Sequence, residues 1–298
     1  MYNEEDVFPL LKEQLVRLKR DLACAVEIIL VDDGSSDETY RLMYGWGTED
    51  PDIKLIALSR NFGHQIAITA GMDASSGDAV VIIDADLQDP PSLIPEMIAN
   101  YCEGYDVVYG QRTEREGETW FKLATASMFY RLMRRFVDKR LPANTGDFRL
   151  VSRRVIEDLR RIREHDRFMR GLVAWVGFPQ KALPYKRAGR AAGETKYPFM
   201  KMLKLATNAI LSFSTMPLKL ITWLGLLSVL TSLAFAVRTL YQSSLEANGL
   251  AILVTFFSGV ILLSIGVLGI YVAKIHTEVQ GRPLYLVRHS VNFEQEPR

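Results

Sequence analysis

Ala79-Val80-Val81-Ile82-Ile83-Asp84-Ala85-Asp86-Leu87-Gln88-Asp89-Pro90 runs from unbroken apolar residues straight into a cluster of carboxylates. The apolar half predicts a short strand over 79–83, and Asp84 marks its carboxyl end. The same pattern recurs on either side. Residues 27–31 end at Asp32-Asp33-Gly34-Ser35-Ser36-Asp37, residues 53–58 end at Ser59-Arg60-Asn61-Phe62-Gly63-His64, and residues 106–109 supply a fourth strand. Helical stretches separate them. Residues 4–20 place Phe8, Leu11, Leu15 and Leu18 on one face, Ser36 or Asp37 can cap a second helix, and a third runs through Ala74. Strands alternating with helices predict an α/β domain with a largely parallel sheet, whose ligands bind beyond the carboxyl ends of the strands. Each polar cluster named above sits at such an end. No Walker A or G-x-G-x-x-G pattern follows any of these strands, which disfavours P-loop and dinucleotide-binding chemistry.

Asp84 and Asp86 stand two positions apart at a strand end, so both carboxylates can face the same way. Two hard carboxylates held close repel unless a cation lies between them, and Mg²⁺ or Mn²⁺ bridging to a diphosphate is the natural occupant, with Gln88 beside it. A D-x-D alone arises often by chance; its place directly after an apolar strand gives it weight.

The formal net charge of +1 conceals a division. Residues 1–110 hold 7 Lys and Arg against 21 Asp and Glu, whereas residues 111–204 hold 23 against 10. Carboxylates in the first part suit a metal, and the basic part suits phosphates or an anionic membrane surface. The two cysteines, Cys24 and Cys102, are too few for a disulfide framework and are expected as small buried residues in a reducing compartment. Residues 1–6 show no signal-peptide pattern.

Residues 220–237 and 249–273 carry no charge, and each is long enough to cross the roughly 30 Å of bilayer hydrocarbon as a helix. Lys201, Lys204 and Lys219 precede the first run, and Lys274, Arg282 and Arg288 follow the second, so both flanks are expected in the cytoplasm. Residues 119–137 and 197–213 mix apolar and basic residues at helical spacing, which suits interfacial helices or packing against the domain.

Met1-Tyr2-Asn3-Glu4-Glu5, Val31-Asp32-Asp33-Gly34-Ser35-Ser36-Asp37 and Asp84-Ala85-Asp86-Leu87-Gln88-Asp89-Pro90 resemble the consecutive motifs of glycosyltransferase family 2, with its GT-A nucleotide-sugar-binding fold. Thr145-Gly146-Asp147-Phe148-Arg149-Leu150, Gly193-Glu194-Thr195-Lys196-Tyr197-Pro198 and the paired apolar runs resemble its polyprenyl-phosphate glycosyltransferases, the group of bactoprenol glucosyltransferase and dolichol-phosphate mannose synthase. The resemblance implies that Tyr2, Glu4, Asp32, Asp33, Arg60 and Asp84 serve the nucleotide-sugar, and that Asp84, Asp86 and Gln88 hold Mg²⁺ or Mn²⁺. Asp147 is implied as a catalytic base, and Arg149 as its catalytic neighbour. A phosphate monoester is already largely ionised near neutral pH, so Asp147 can instead orient the acceptor or stabilise charge on the sugar. A loop cap or an ion pair with Arg149 are its structural alternatives. Arg112, Arg134 and Arg135, with Arg149, are the candidates for gripping phosphates.

The expected organisation is a catalytic domain over 1–185, a juxtamembrane segment over 186–217, a two-helix transmembrane anchor over 218–273 and a cytoplasmic tail over 274–298. The family also has a strand before the Tyr-Asn-Glu motif, so the resemblance implies a first strand missing ahead of Met1. The implied function is inverting transfer of a sugar, glucose first, from a UDP-linked donor to undecaprenyl phosphate at the cytoplasmic face of the plasma (inner) membrane, by a multi-pass protein. Its partners are the nucleotide-sugar, the polyprenyl phosphate and the lipid bilayer, with homo-oligomers common among related enzymes and no nucleic acid. GDP-mannose chemistry and a non-catalytic membrane scaffold are the alternatives.

Overall fold

The computed structural model describes residues 1–113, 145–186, 221–228 and 247–293, with a few isolated positions between 218 and 234. The chain divides into two compact units, Met1–Phe199 with Pro283–Arg298, and Met200–Arg282.

In the first unit, α1 (Phe8–Asp21) carries Pro9, whose fixed φ suits a first turn, and has Lys19 and Arg20 in its last turn, at the negative end of the helix dipole. Phe8, Leu11 and Leu15 are buried, and Phe8 meets Trp46 of α2 (Thr39–Glu49) edge to face at 6.1 Å. β1 (Ile28–Asp32) pairs in parallel with β2 (Ile53–Leu58), Ile28 opposite Ile53. The helix α3 (His64–Ala74) follows β2, β3 (Ala79–Ile82) leads to the acidic loop, and α4 (Ile94–Cys102) precedes β4 (Val107–Arg112). Then come β5 (Thr145–Ser152), α5 (Arg153–Arg161), α6 (Met169–Val176) and β6 (Gln180–Tyr185).

The described strands form a sheet in the order β1-β2-β7, with β7 (Val287–Val291), and another in the order β3-β5-β4-β6. The expected parallel sheet is therefore mixed. β5 runs antiparallel to both β3 and β4, and β7 antiparallel to β2. β5 escaped the sequence reading because Asp147 and Arg149 break its apolar pattern, yet all eight of its residues are buried.

Two further expectations need correction. The segment beyond 274 is not a free tail: the apolar helix continues to Val279, and Val287–Val291 is a strand of the first unit. Its docking is polar as well as apolar. Asn292 Nδ2 donates to the carbonyls of Gly47 (2.6 Å), Ile53 (2.8 Å) and Asp50 (3.3 Å), capping the end of α2. Cys24 and Cys102 are exposed rather than buried.

Much of the basic surplus is also satisfied within the fold. Arg160 Nη2 donates to the carbonyls of Met72, Asp73 and Ser75 at the end of α3, Arg153 Nε to Gly77 O at 2.9 Å, and Arg163 pairs with Asp73 at 2.6 Å. These guanidinium groups satisfy helix-end carbonyls and a carboxylate rather than waiting for phosphates.

In the second unit, α7 (Ala247–Val279) holds one stretch, Phe256–Val279, that is long and apolar enough to cross a membrane, with a mean hydropathy of 2.3 and none of it buried. Residues 221–228 are helical, but most of the expected first span lies outside the described residues, as do the segments 119–137 and 197–213.

Candidate active site

The loop after β1 is held by the start of the chain. Asn3 Oδ1 accepts the Ser36 amide at 2.9 Å, the Asn3 amide donates to Ser35 Oγ at 3.1 Å, and the Glu4 amide donates to Thr39 Oγ1 at 2.8 Å. Tyr2 is exposed at the head of this segment. Asp32 is fully buried; its Oδ1 accepts the Ser35 amide at 3.1 Å, while Oδ2 is buried with no hydrogen-bond partner. Asp33 accepts the amides of Phe62 (2.7 Å) and Gly63 (2.9 Å), one on each oxygen. It thereby ties the loop after β1 to the loop after β2, leaving further lone pairs on each oxygen. Burial pushes the Asp33 carboxyl above its usual range, against those two hydrogen bonds. Gly34 makes the approach possible. At φ +71, a Cβ there would lie 2.6 Å from the Arg60 carbonyl carbon and 2.7 Å from the Asn61 nitrogen. Arg60 is exposed and its guanidinium stacks 4.0 Å from the centre of the Phe62 ring.

The acidic loop after β3 is shaped by a tight turn. Leu87 adopts φ 56, rare for a residue with a branched side chain, and Asp86 Oδ1 accepts the Gln88 amide at 3.2 Å across it. Burial of Leu87 in the cluster of Val7, Phe8, Leu11 and Trp46 holds it there. The β3–β5 register pairs Ile82 with Arg149, so Asp84, two residues on, comes opposite Asp147, two residues back. His64, at the start of α3, completes the group. Its Nε2 lies 3.1 Å from Asp147 Oδ2 and 3.5 Å from Asp84 Oδ1.

The electrostatics differ sharply between these two carboxylates. Burial raises the Asp84 carboxyl above its usual range, and Asp147, Asp89 and Asp86 add to the rise, while His64 opposes it. Asp147 is held well below the usual range despite its burial, because Arg170, then His64, stabilise its charge. Arg170 Nε donates to Asp147 Oδ1 at 3.0 Å, Nη2 to Oδ2 at 3.2 Å, and Nη1 to Thr145 O at 3.0 Å. Gln65 Nε2 donates to Asp147 Oδ2 at 3.2 Å, and its Oε1 accepts the Met169 amide at 2.8 Å, linking α3 to α6. Burial disfavours the charged imidazole of His64, but the hydrogen bond to Asp147 and the Asp84 charge outweigh it and raise its pKa.

The ion pair expected between Asp147 and Arg149 is made with Arg170 instead. Arg149 is buried, and its guanidinium donates to Gly146 O (2.9 Å) and Asp147 O (3.3 Å) of its own strand. Arg112 donates to Tyr185 Oη at 3.2 Å and lies 3.5 Å from Asp89, whose carboxylate also accepts the Tyr185 hydroxyl. Gly146 leaves the space that the Arg112 guanidinium fills. Burial and that hydrogen bond to Asp89 push the Tyr185 hydroxyl up to about 12. Arg134 and Arg135 lie outside the described residues.

Among the described residues no three His, Cys, Asp or Glu side chains are grouped to hold a metal ion. Asp84 and Asp86 are hard oxygen donors in a strongly acidic neighbourhood, the chemistry a divalent cation needs, and substrate oxygens would have to complete its shell. The sequence reading missed Arg170 and Gln65 and gave Asp89 and Tyr185 no role. The one visible signal was Arg170 itself, a single charge inside the apolar run Phe168-Met169-Arg170-Gly171-Leu172-Val173.

Residues 1–160 match the family model described as glycosyl transferase family 2. The chain is 46% identical over 306 residues to the uncharacterized glycosyltransferase YkcC of Bacillus subtilis, covering 99% of this chain and 94% of that protein. It is 43% identical over 303 residues to an uncharacterized glycosyltransferase of Synechocystis, covering 100% and 95%. It is 36% identical over 296 residues to the SfII prophage-derived bactoprenol glucosyl transferase of Shigella flexneri, covering 97% and 96%.

Proposed function

Because this chain belongs to glycosyltransferase family 2, we propose that it moves glucose from a UDP-linked donor to undecaprenyl phosphate at the cytoplasmic face of the plasma membrane. What carries the reading is a conjunction. Asp84, Asp147 and His64 meet at one sheet edge, in a chain similar along nearly its whole length to a bactoprenol glucosyl transferase.

The acceptor phosphate is already an oxyanion near neutral pH, so its attack needs little help from a base. Its oxygen forms the new bond to the anomeric carbon as the bond to the donor diphosphate breaks on the opposite face, inverting the configuration. Asp32, with its buried unpartnered oxygen, and the exposed Tyr2 are the groups for the nucleotide, and Asp33 sets the distance between the two loops that flank it. Asp84, Asp86 and Gln88 would hold Mg²⁺ or Mn²⁺, which when bound offsets charge on the departing diphosphate. Arg134 and Arg135 remain the candidates for the lipid phosphate.

Chain connectivity supports two membrane crossings. β2 and β7 pair within the first unit, although the apolar helix lies between them in sequence. A segment that leaves one face of a bilayer and returns to pair there must cross an even number of times. One crossing by Phe256–Val279 therefore calls for a second, which residues 220–237 can supply.

The test offers UDP-glucose, UDP-N-acetylglucosamine and GDP-mannose, each with undecaprenyl phosphate, to the membrane-embedded protein. Glucose transfer with inverted configuration, lost in Asp86→Ala and on chelation, is the expected result. Transfer of mannose alone overturns the choice of donor, retained configuration overturns the single displacement, and no transfer from any donor favours a scaffold.

A further inference from the structure

We propose that Arg170 is a positioning residue that fixes Asp147 and, through it, orients the His64 imidazole toward the sugar-diphosphate donor. The inference rests on the glycosyl-transfer reading and assigns the duties within its site.

Asp147 is the most firmly held member of the group. Its side chain is 2% exposed, and its two oxygens receive Arg170 Nε, Arg170 Nη2, Gln65 Nε2 and His64 Nε2. The Arg170 fork is itself immobilised, because Nη1 donates to Thr145 O on the strand that carries Asp147. A planar guanidinium with three anchored nitrogens sets both the position and the plane of the carboxylate. Gln65 closes the arrangement from α3 by binding Asp147 and the Met169 amide together, the latter one residue before Arg170.

His64 is the member of this group that reaches out. Its side chain is 45% exposed, against 27% for Arg170, and it bridges toward Asp84 at the carboxyl end of β3. A hydrogen bond from Nε2 to a carboxylate places a proton on Nε2 and leaves Nδ1 as the other ring nitrogen. Nδ1 has no hydrogen-bond partner among the described residues. The order of support is therefore Arg170 to Asp147 to His64 to substrate. Misplacing a reacting group by about an ångström lowers turnover on the order of a hundredfold without removing any binding contact.

The experiment measures kcat and both KM values for the membrane-embedded full chain and its variants. Arg170→Lys keeps the partly buried charge but cannot grip two carboxylate oxygens and a carbonyl in one plane. It is expected to lose kcat on the order of a hundredfold, with KM for donor and acceptor changed less than about threefold. His64→Gln is expected to lose a comparable factor, and the double variant no more than either alone, as for groups acting in series. Added guanidinium is expected to restore part of the kcat of Arg170→Ala. A kcat near that of the parent protein in Arg170→Lys or in His64→Gln overturns the proposal. So do losses that multiply in the double variant. Where Arg170→Ala does not fold, the lysine variant and the double-variant comparison decide alone. A parent protein that transfers no sugar from any nucleotide-sugar overturns the transfer reading itself, an outcome distinct from the variant results.

Discussion

Tyr285 donates its hydroxyl to Asp73 Oδ2 at 3.0 Å, joining the segment that follows the apolar helix to the end of α3 across 212 positions of sequence. Tyr285 is buried, and burial with the Asp73 charge pushes its hydroxyl pKa up, so it remains a neutral donor. With β7 beside β2 and Asn292 capping α2, the C-terminal segment is an integral part of the catalytic unit.

Tyr285→Phe removes one hydrogen bond and is expected to cost about 1 kcal/mol of stability. Asn292→Ala removes the donor that three carbonyls share, of which Asp50 O keeps the Ile53 amide, and is expected to cost about 2 kcal/mol. Asn292→Asp is expected to cost more than Asn292→Ala, because a carboxylate would face the oxygens of Gly47, Asp50 and Ile53. Thermal unfolding of the detergent-solubilised protein ranks the three. Equal stability of the Ala and Asp variants would contradict the capping role.

The exposed thiols give a direct reading of topology. Cys24 and Cys102 both belong to the first unit, and the chain has no other cysteine. A membrane-impermeant maleimide should label both in inside-out vesicles and neither in intact spheroplasts. A cysteine introduced at Ser290, in β7, should follow the same pattern if the crossings are even in number. Opposite labelling of the two regions would rule out the paired-span arrangement.

The strands at 27–31, 53–58, 79–83 and 106–109 were legible because each is a mainly apolar run bounded by polar turns, and all four exist with ends shifted by three residues or fewer. β5 and β7 were not. Asp147 and Arg149 sit buried in β5 because partners from α3 and α6 satisfy one and backbone carbonyls the other, and local sequence records neither. β7 is short and polar, and its partner β2 lies more than 200 residues away. The same division applies to the site. Asp84 and Asp86 announced themselves by following a strand, whereas Arg170 became visible only once α6 was packed against β5.

Glu27 sets an acid limit on the first unit. It pairs with Lys54 at 2.7 Å and accepts the Ser76 and Gly77 amides at 2.6 and 3.1 Å. Burial alone would raise its pKa, but the Lys54 and Ser76 hydrogen bonds outweigh it, so the folded value lies below the usual one. The stabilisation is therefore complete above the unfolded glutamate pKa and is lost as pH falls through the folded value. Glu27→Gln should be less stable at neutral pH and should show a shallower loss on acidification over that window. An unchanged acid limb in unfolding curves would show that other carboxylates dominate.

Gly34 lets the loops after β1 and β2 approach, and its substitution separates fold from chemistry. At φ +71 an alanine there is strained, and its Cβ would meet the Arg60 and Asn61 backbone at 2.6–2.7 Å, where no side-chain rotation can relieve the clash. The loops must part, which pulls Asp33 away from the amides of Phe62 and Gly63. Gly34→Ala is expected to cost about 2–4 kcal/mol, combining backbone strain with loss of charge-assisted hydrogen bonds. Because His64 follows Gly63 directly, the same displacement should weaken nucleotide binding and lower kcat together, and calorimetry with the free nucleotide separates the two. A variant that keeps its melting temperature and nucleotide affinity would mean that the loops need not touch.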